Sequence, residues 1–149
     1  MSVQAFKVYY KAKQYISGTI SLGSTTFDAH LMQSASNFAT NTLSTYGSLT
    51  SQVASGNNYK QSGKALTSVT WALLTSTVKF NSAAFTWTAT GGTIPNIKAL
   101  VLVARTGASG KASTNKLLCY CSLSSGQFTL SQNNTLTITP NAAGIFTLV

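Results

Sequence analysis

The feature that most constrains the fold is an alternation of apolar and polar residues, repeated in many short runs along the chain. In one run, Val69, Trp71 and Leu73 are separated by Thr70 and Ala72. A spacing of two places side chains on the same face of a β-strand, so the three apolar residues are expected to share one face. Six further runs alternate in the same way: Val78 and Phe80, Phe85 and Trp87, Leu117-Cys119-Cys121-Leu123, Phe128 and Leu130, Leu136 and Ile138, and Phe146 and Leu148. The pattern predicts a series of short antiparallel strands, each with one buried face.

One run, residues 99–104, is apolar at every position. Such a run is typical of a central strand that is covered on both faces. Segments rich in Gly, Asn and Ser separate the runs at short intervals and favour chain reversals. The predicted fold is therefore all-β: an antiparallel β-sandwich, jelly-roll-like, formed by a single domain.

Residues 35–53 interrupt this rhythm. Leu43, Tyr46 and Leu49 lie near helical spacing, but Gly47 and the frequent Ser and Thr residues disfavour a stable helix. We expect one long, weakly helical connection, with one or two helical turns, at one end of the sandwich.

The N-terminal residues 1–15 are predicted to form a strand or an arm, followed by the β-sandwich domain at residues 16–149. As a strand, this segment would alternate between the core and solvent. The residues expected to face inward are Phe6, Val8 and Tyr10. Those expected to face outward are Lys7, Tyr9 and Lys11.

The composition excludes several classes of enzyme. Only 7% of the 149 residues are charged, whereas about 25% is typical. Ten Lys and Arg residues face a single acid, Asp28, so the formal net charge is +9. Paired-carboxylate catalysis and Ca²⁺ or Mg²⁺ sites need more than one carboxylate. A Ser-His-Asp triad could use only His30 and Asp28, which a strand would place side by side. We therefore expect no enzyme activity, no catalytic residue, no cofactor and no metal.

The two cysteines, Cys119 and Cys121, are two positions apart. On a strand their Cα atoms would be about 6.5–7 Å apart with parallel side chains, at or beyond the limit for a disulfide. Two thiols without further ligands also make a poor zinc site. We interpret both as small buried apolar residues. His30, beside Leu31 and Met32, is expected to be a partly buried structural residue.

Membrane association is not expected. The longest strongly apolar run, residues 99–104, is far shorter than the roughly 20 residues of a membrane-spanning helix. The N-terminal segment carries lysines within its apolar stretch and lacks the core of a signal peptide. We expect synthesis in the cytoplasm.

Lysines and tyrosines are interleaved near the N-terminus. The candidate interaction residues there are Lys7, Tyr9, Tyr10, Lys11 and Lys13. Such interleaving could bind single-stranded nucleic acid, but the solvent face of a strand or a docking arm explains it more simply. Because the chain has one arginine, guanine recognition by Arg is not supported, and no sequence-specific nucleic-acid binding is expected.

Tyr59 is a further candidate interaction residue. It lies in a predicted turn, where it could be exposed, and Asn57, Asn58 and Gln61 could supply amide groups beside its ring. An exposed aromatic ring flanked by polar groups could bind a glycan. Both tryptophans occupy alternating positions and are expected in the core.

Three stretches resemble one known protein family. Residues 55–66 (SGNNYKQSGKAL) resemble its Gly-x-Gly-Tyr…Gly-Gly-x-x-Leu segment, residues 79–87 (KFNSAAFTW) one of its strands, and residues 141–148 (NAAGIFTL) its closing strand. On these motifs the chain resembles a family of small structural proteins of tailed-bacteriophage virions. The resemblance implies a β-sandwich that acts as a capsid decoration, or cement, protein.

The resemblance also implies partners and a location. A decoration protein binds the assembled head and bridges neighbouring subunits, so the implied partner is the major capsid protein or another virion protein. It further implies a homo-oligomer, by analogy a trimer, that is made in the host cytoplasm and located in the virion. Residues 1–15 would reach across the lattice. Two alternatives remain open: a neck, tail or fibre component of the virion, and a glycan-binding module for receptor recognition.

Overall fold

A computed structural model describes residues 4–18 and 20–148, apart from the side chain of Leu74. Antiparallel strands dominate these residues, so the predicted all-β fold is confirmed. The first elements are β1 (Lys7–Val8), α1 (Tyr10–Ile16), β2 (Phe27–Met32), a 3₁₀ turn (Tyr46–Ser48), β3 (Lys64–Ala65), β4 (Thr70–Leu74) and β5 (Thr77–Asn81). The remaining strands are β6 (Phe85–Thr88), β7 (Ile94–Ile97), β8 (Ala99–Ala104), β9 (Lys116–Ser122), β10 (Phe128–Leu130), β11 (Thr135–Ile138) and β12 (Phe146–Leu148).

One layer of the fold is a five-stranded sheet with the order β1-β9-β8-β2-β3. Every pairing in it is antiparallel, and the β8–β9 register shifts between Leu102 and Val103. All six residues of β8 are buried, which confirms the predicted central strand with two covered faces. All six residues of β2 are buried as well, although two of them, Asp28 and His30, are polar.

The other strands form a three-stranded sheet, β12-β5-β4, and two pairs, β11-β6 and β10-β7. Phe80 of β5 packs against Phe27 of β2, with ring centroids 5.0 Å apart, and so joins the two layers. Phe80 also stacks on Phe146, at 5.0 Å. These aromatic contacts place the core between the five-stranded sheet and the strands that cover it, as in a β-sandwich.

The cysteines behave as predicted. Cys119 and Cys121 lie on β9, and both are buried and free. Burial raises the pKa of the Cys121 thiol to about 12, so the thiolate form is negligible at neutral pH. The long connection is also confirmed as weakly helical, because its helical structure is the single 3₁₀ turn at Tyr46–Ser48.

The predicted alternation at the N-terminus holds for Lys7 and Val8 but is wrong at Tyr9 and Tyr10. β1 ends after two residues, and helix α1 begins at Tyr10. The fully buried side chain is Tyr9, whereas Tyr10 is 62% exposed. The Tyr9 hydroxyl donates a hydrogen bond of 2.6 Å to the backbone oxygen of Phe38, and its ring lies 4.9 Å from that of Tyr120.

Helix α1 forms because its central residues 11–14 are good helix formers and one of them, Ala12, is fully buried. β1 pairs with β9, and α1 also lies against β9. Residues 1–3 of the predicted arm lie outside the described residues. No helix in the described part of the chain is long and apolar enough to span a membrane.

Candidate functional site

The chain's single acid is buried and is neutralised by an arginine whose side chain is 34% exposed. Asp28 is fully buried on β2 and accepts two hydrogen bonds from Arg105, at 2.8 Å from Nε and 2.6 Å from Nη2. Two parallel N–H···O contacts of this kind make a strong bidentate ion pair. The hydrogen bonds to Asp28 raise the pKa of Arg105. Because this pair joins the only acid to the only arginine, the charged side chains left over are lysines.

His30 lies two residues along β2, fully buried and on the same side as Asp28, as the spacing predicted. Its Nδ1 is 3.0 Å from Nε2 of Gln52, an amide nitrogen that can only donate. Nε2 of His30 has no hydrogen-bond partner in the described part of the chain. Burial, the largest cause, lowers the pKa of His30 to about 4.

Gln52 extends this polar cluster to the segment that precedes β3. Its Nε2 lies 2.9 Å from the Tyr59 hydroxyl and 3.1 Å from the backbone oxygen of Gln61. The Tyr59 hydroxyl also accepts a hydrogen bond of 2.9 Å from the backbone N–H of Leu31. Burial raises the pKa of Tyr59 to about 12. These bonds anchor residues 54–63, the loop before β3, to strand β2.

Gly63 lets this loop approach β2 closely. Its φ is +85°, a backbone conformation that favours glycine. A Cβ at this position would lie 2.7 Å from Cε1 of His30 and 3.0 Å from Cβ of Asp28. The loop is therefore held against the polar pair on β2 at a distance that only glycine allows.

A pocket of about 290 Å³ opens between this loop and strand β6. It is lined by Asn58, Lys60, Gly63, Lys64, Thr86, Trp87 and Thr88. The Asn58 amide donates a hydrogen bond of 3.0 Å to the backbone oxygen of Thr88, which ties the loop to the strand. We call this site the lysine pocket. Its ammonium groups, hydroxyls and amide suit a small anionic ligand.

The predicted interaction residues differ in their exposure to solvent. Lys7 on β1 and Tyr10, Lys11 and Lys13 on α1 are exposed. Tyr9 is fully buried and Tyr59 is almost so, because the hydroxyl of each bonds to groups inside the protein. The prediction that Tyr59 is exposed is therefore wrong, and the aromatic residue beside the lysine pocket is Trp87.

Sequence reasoning placed Asp28 and His30 side by side but missed the rest of the polar cluster and the lysine pocket. The signal for the cluster was present, since Asp28 and His30 are polar positions in an otherwise apolar strand. The pocket has no such signal, because its lining comes from residues 58–64 and 86–88, which only the fold brings together. Within the described residues, no three His, Cys, Asp or Glu side chains come together as metal ligands would.

No protein-family model, no curated protein and no solved structure matches the chain.

Proposed function

We propose that this protein is a capsid decoration protein of a tailed bacteriophage, which docks on the assembled head through its exposed lysines. The observation that carries the proposal is the pairing of the only acid, Asp28, with Arg105, which leaves lysines as the charged side chains that this ion pair does not neutralise. Six of them are exposed: Lys7, Lys11, Lys13, Lys60, Lys64 and Lys111. A surface of this kind attracts a partner rich in carboxylates.

The rest of the exterior supports a permanent interface. Most exposed polar residues are Ser, Thr and Asn, whose hydroxyls and amides can pair with backbone groups at an interface. Such groups cost less to desolvate than charges do. A protein that binds only the assembled head stabilises that state by mass action. Contacts to two or more capsid subunits would strengthen binding through effective concentration.

The first test is the stoichiometry of purified virions, with the major capsid protein as the internal standard. A copy number equal to that protein's, or a simple fraction of it, supports the decoration role. A count of a dozen or fewer, on the order of one copy per symmetry-related position of a single ring, would move the protein to the neck, tail or fibres. Absence from the particle would contradict a virion role altogether.

The lysine pocket favours a second candidate function, the binding of an acidic glycan. Lys60 and Lys64 could pair with a sugar carboxylate, while Thr86 and Asn58 offer groups for its hydroxyls. The test is titration of the protein with sialylated and uronate-containing oligosaccharides, followed by amide NMR shifts. Binding that is lost in Lys64→Gln and kept in Lys98→Gln supports this function. Equal shifts with a neutral oligosaccharide, or none with the acidic ones, would exclude it.

A further inference from the structure

Strand β4 is an unusual edge strand. It is the outer strand of the β12-β5-β4 sheet, and β5 is the one strand with which the described structure pairs it. Proteins usually shorten exposed edges or place lysine or proline on them, because unpaired N–H and C=O groups recruit other strands. The outer strands of the five-stranded sheet, β1 and β3, have two residues each and carry Lys7 and Lys64. By contrast, β4 has five residues with neither a charge nor a proline, and it is longer than the other described outer strands that lack both, β6, β10, β11 and β12.

Leu73 of this strand faces the core side without being covered. Alternation puts it on the same face as Trp71, whose ring packs 6.4 Å from that of Phe80 and 6.3 Å from that of Phe146. Leu73 is nevertheless 76% exposed. The sequence pattern predicted that Trp71 and Leu73 share an inner face. The β4–β5 hairpin, however, carries Leu73 past the residues that could bury it.

β4 itself carries no charge, and the charged side chain nearest to it in the sheet is Lys79, which lies opposite Ala72 in the β4–β5 register. No charged residue occurs between Lys64 and Lys79. The Lys79 ammonium lies 3.2 Å from the backbone oxygen of Ala142, in the segment before β12, on the opposite side of β5 from β4. An acidic partner therefore finds no cation on β4 itself, and a second copy of the same neutral strand adds no charge next to it.

We propose that β4 pairs antiparallel with β4 of a second copy, around a two-fold axis at Ala72. This register sets Ala72 opposite Ala72 of the second copy, and Trp71 opposite Leu73. Each exposed leucine is then covered by an indole on the same face of the joined sheet. The two Lys79 residues lie three strand spacings apart, about 14 Å, which exceeds the screening length of about 8 Å at physiological salt.

This pairing goes beyond the proposed function and stands independently of it. An isologous contact closes at two copies, because the same strand is used by both. It therefore predicts a dimer in solution, in place of the trimer that the family resemblance implies.

Disulfide trapping tests the register. Ala72 is exposed, and paired Cα atoms in antiparallel strands are about 4.5–5.5 Å apart, within reach of a disulfide. In the full chain, Ala72→Cys treated with a mild thiol oxidant is expected to give a covalent dimer. Ala65→Cys, exposed on edge strand β3, is the matched control and is expected to remain monomeric on a non-reducing gel. Equal cross-linking of both variants, or of neither, would overturn the proposal.

Mass measurement tests the assembly itself. Light scattering of the wild-type chain is expected to approach twice the 15.6 kDa chain mass as concentration rises. Leu73→Lys is expected to hold the protein at the monomer mass, whereas Ala65→Lys adds the same charge and leaves the dimer intact. A trimer, or a monomer at every concentration, would contradict pairing through β4. Neither outcome bears on virion stoichiometry, so the two proposals fail separately.

Discussion

His30 keeps its imidazole in the core, between Gln52 on one side and Gly63 on the other. The unfolded chain takes up a proton on this ring near pH 6.5, whereas burial lowers the pKa in the folded protein to about 4. The stabilising contribution of the neutral ring is therefore complete above pH 6.5 and is lost as the pH falls towards 4. A difference of this size corresponds to roughly 3 kcal/mol at most.

We expect the free energy of unfolding in urea to fall by about 2 kcal/mol between about pH 7 and about pH 4.5. His30→Gln should flatten this dependence, because glutamine does not titrate. Asp28 and Arg105, the charged groups that influence the ring, are present in both proteins, so the comparison isolates the histidine. Parallel pH profiles for the two proteins would rule His30 out as the titrating group.

Gly63 is the second residue whose substitution is expected to change the stability strongly. We expect Gly63→Ala to destabilise the protein by roughly 2 kcal/mol or more, since it combines a left-handed backbone with a Cβ that meets the His30 ring. Gly126→Ala is the matched control, because a Cβ there meets nothing within 4 Å. Urea denaturation of both variants measures the difference. Similar midpoints would mean that the loop can move away from β2 at little cost.

Tyr59 shows why the candidate site could not be predicted from the sequence. Its neighbours in the chain are turn residues, and a turn residue is usually exposed. Its hydroxyl, however, bonds to Leu31, 28 residues away, and its ring lies 6.4 Å from that of Trp87. Contacts of this range depend on the assembled fold, so no local pattern reports them.

At the scale of elements, strands were predicted well where the pattern of apolar residues along the strand is enough to determine which side chains are buried. The apolar run at 99–104 has the same bounds as β8, and the run 117–123 overlaps β9, Lys116–Ser122. Helix α1 was missed because its seven residues are too few for a periodic signal and because packing against β9 stabilises it. The exposure of Leu73 was missed for a related reason, since alternation assigns a face but not the extent of its cover.

The junction between the layers gives a prediction at this scale. Phe80 contacts Phe27 across the core and Phe146 within its own sheet, so Phe80→Ala should leave a cavity shared by both layers. We expect a loss of about 3–5 kcal/mol in unfolding free energy. Tyr10→Ala, which truncates an exposed aromatic ring, should change it by about 0.5 kcal/mol or less. Comparable losses in the two variants would contradict a core centred on Phe80.

At the scale of the whole molecule, the exposed lysines are expected to set the rate of association with the proposed capsid partner. We expect association with heads that lack this protein to slow as ionic strength rises, because salt screens long-range attraction. Lys60→Gln combined with Lys64→Gln should slow association by roughly tenfold at low salt. Lys79→Gln combined with Lys98→Gln is the matched control, since it removes the same two charges from lysines that already bond to the backbone oxygens of Ala142 and Ser124. Association that is indifferent to salt would contradict docking by charge.

The burial of Asp28 also sets how the exterior responds to its medium. In most proteins, acid discharges many carboxylates, so the surface charge shifts continuously with pH. Here no other Asp or Glu exists to take up a proton as the solution is acidified. Mild acid therefore adds no positive charge to the exterior through surface carboxylates. Acid therefore lowers the stability of the fold through the buried His30, whereas ionic strength changes the attraction between the exposed lysines and a partner.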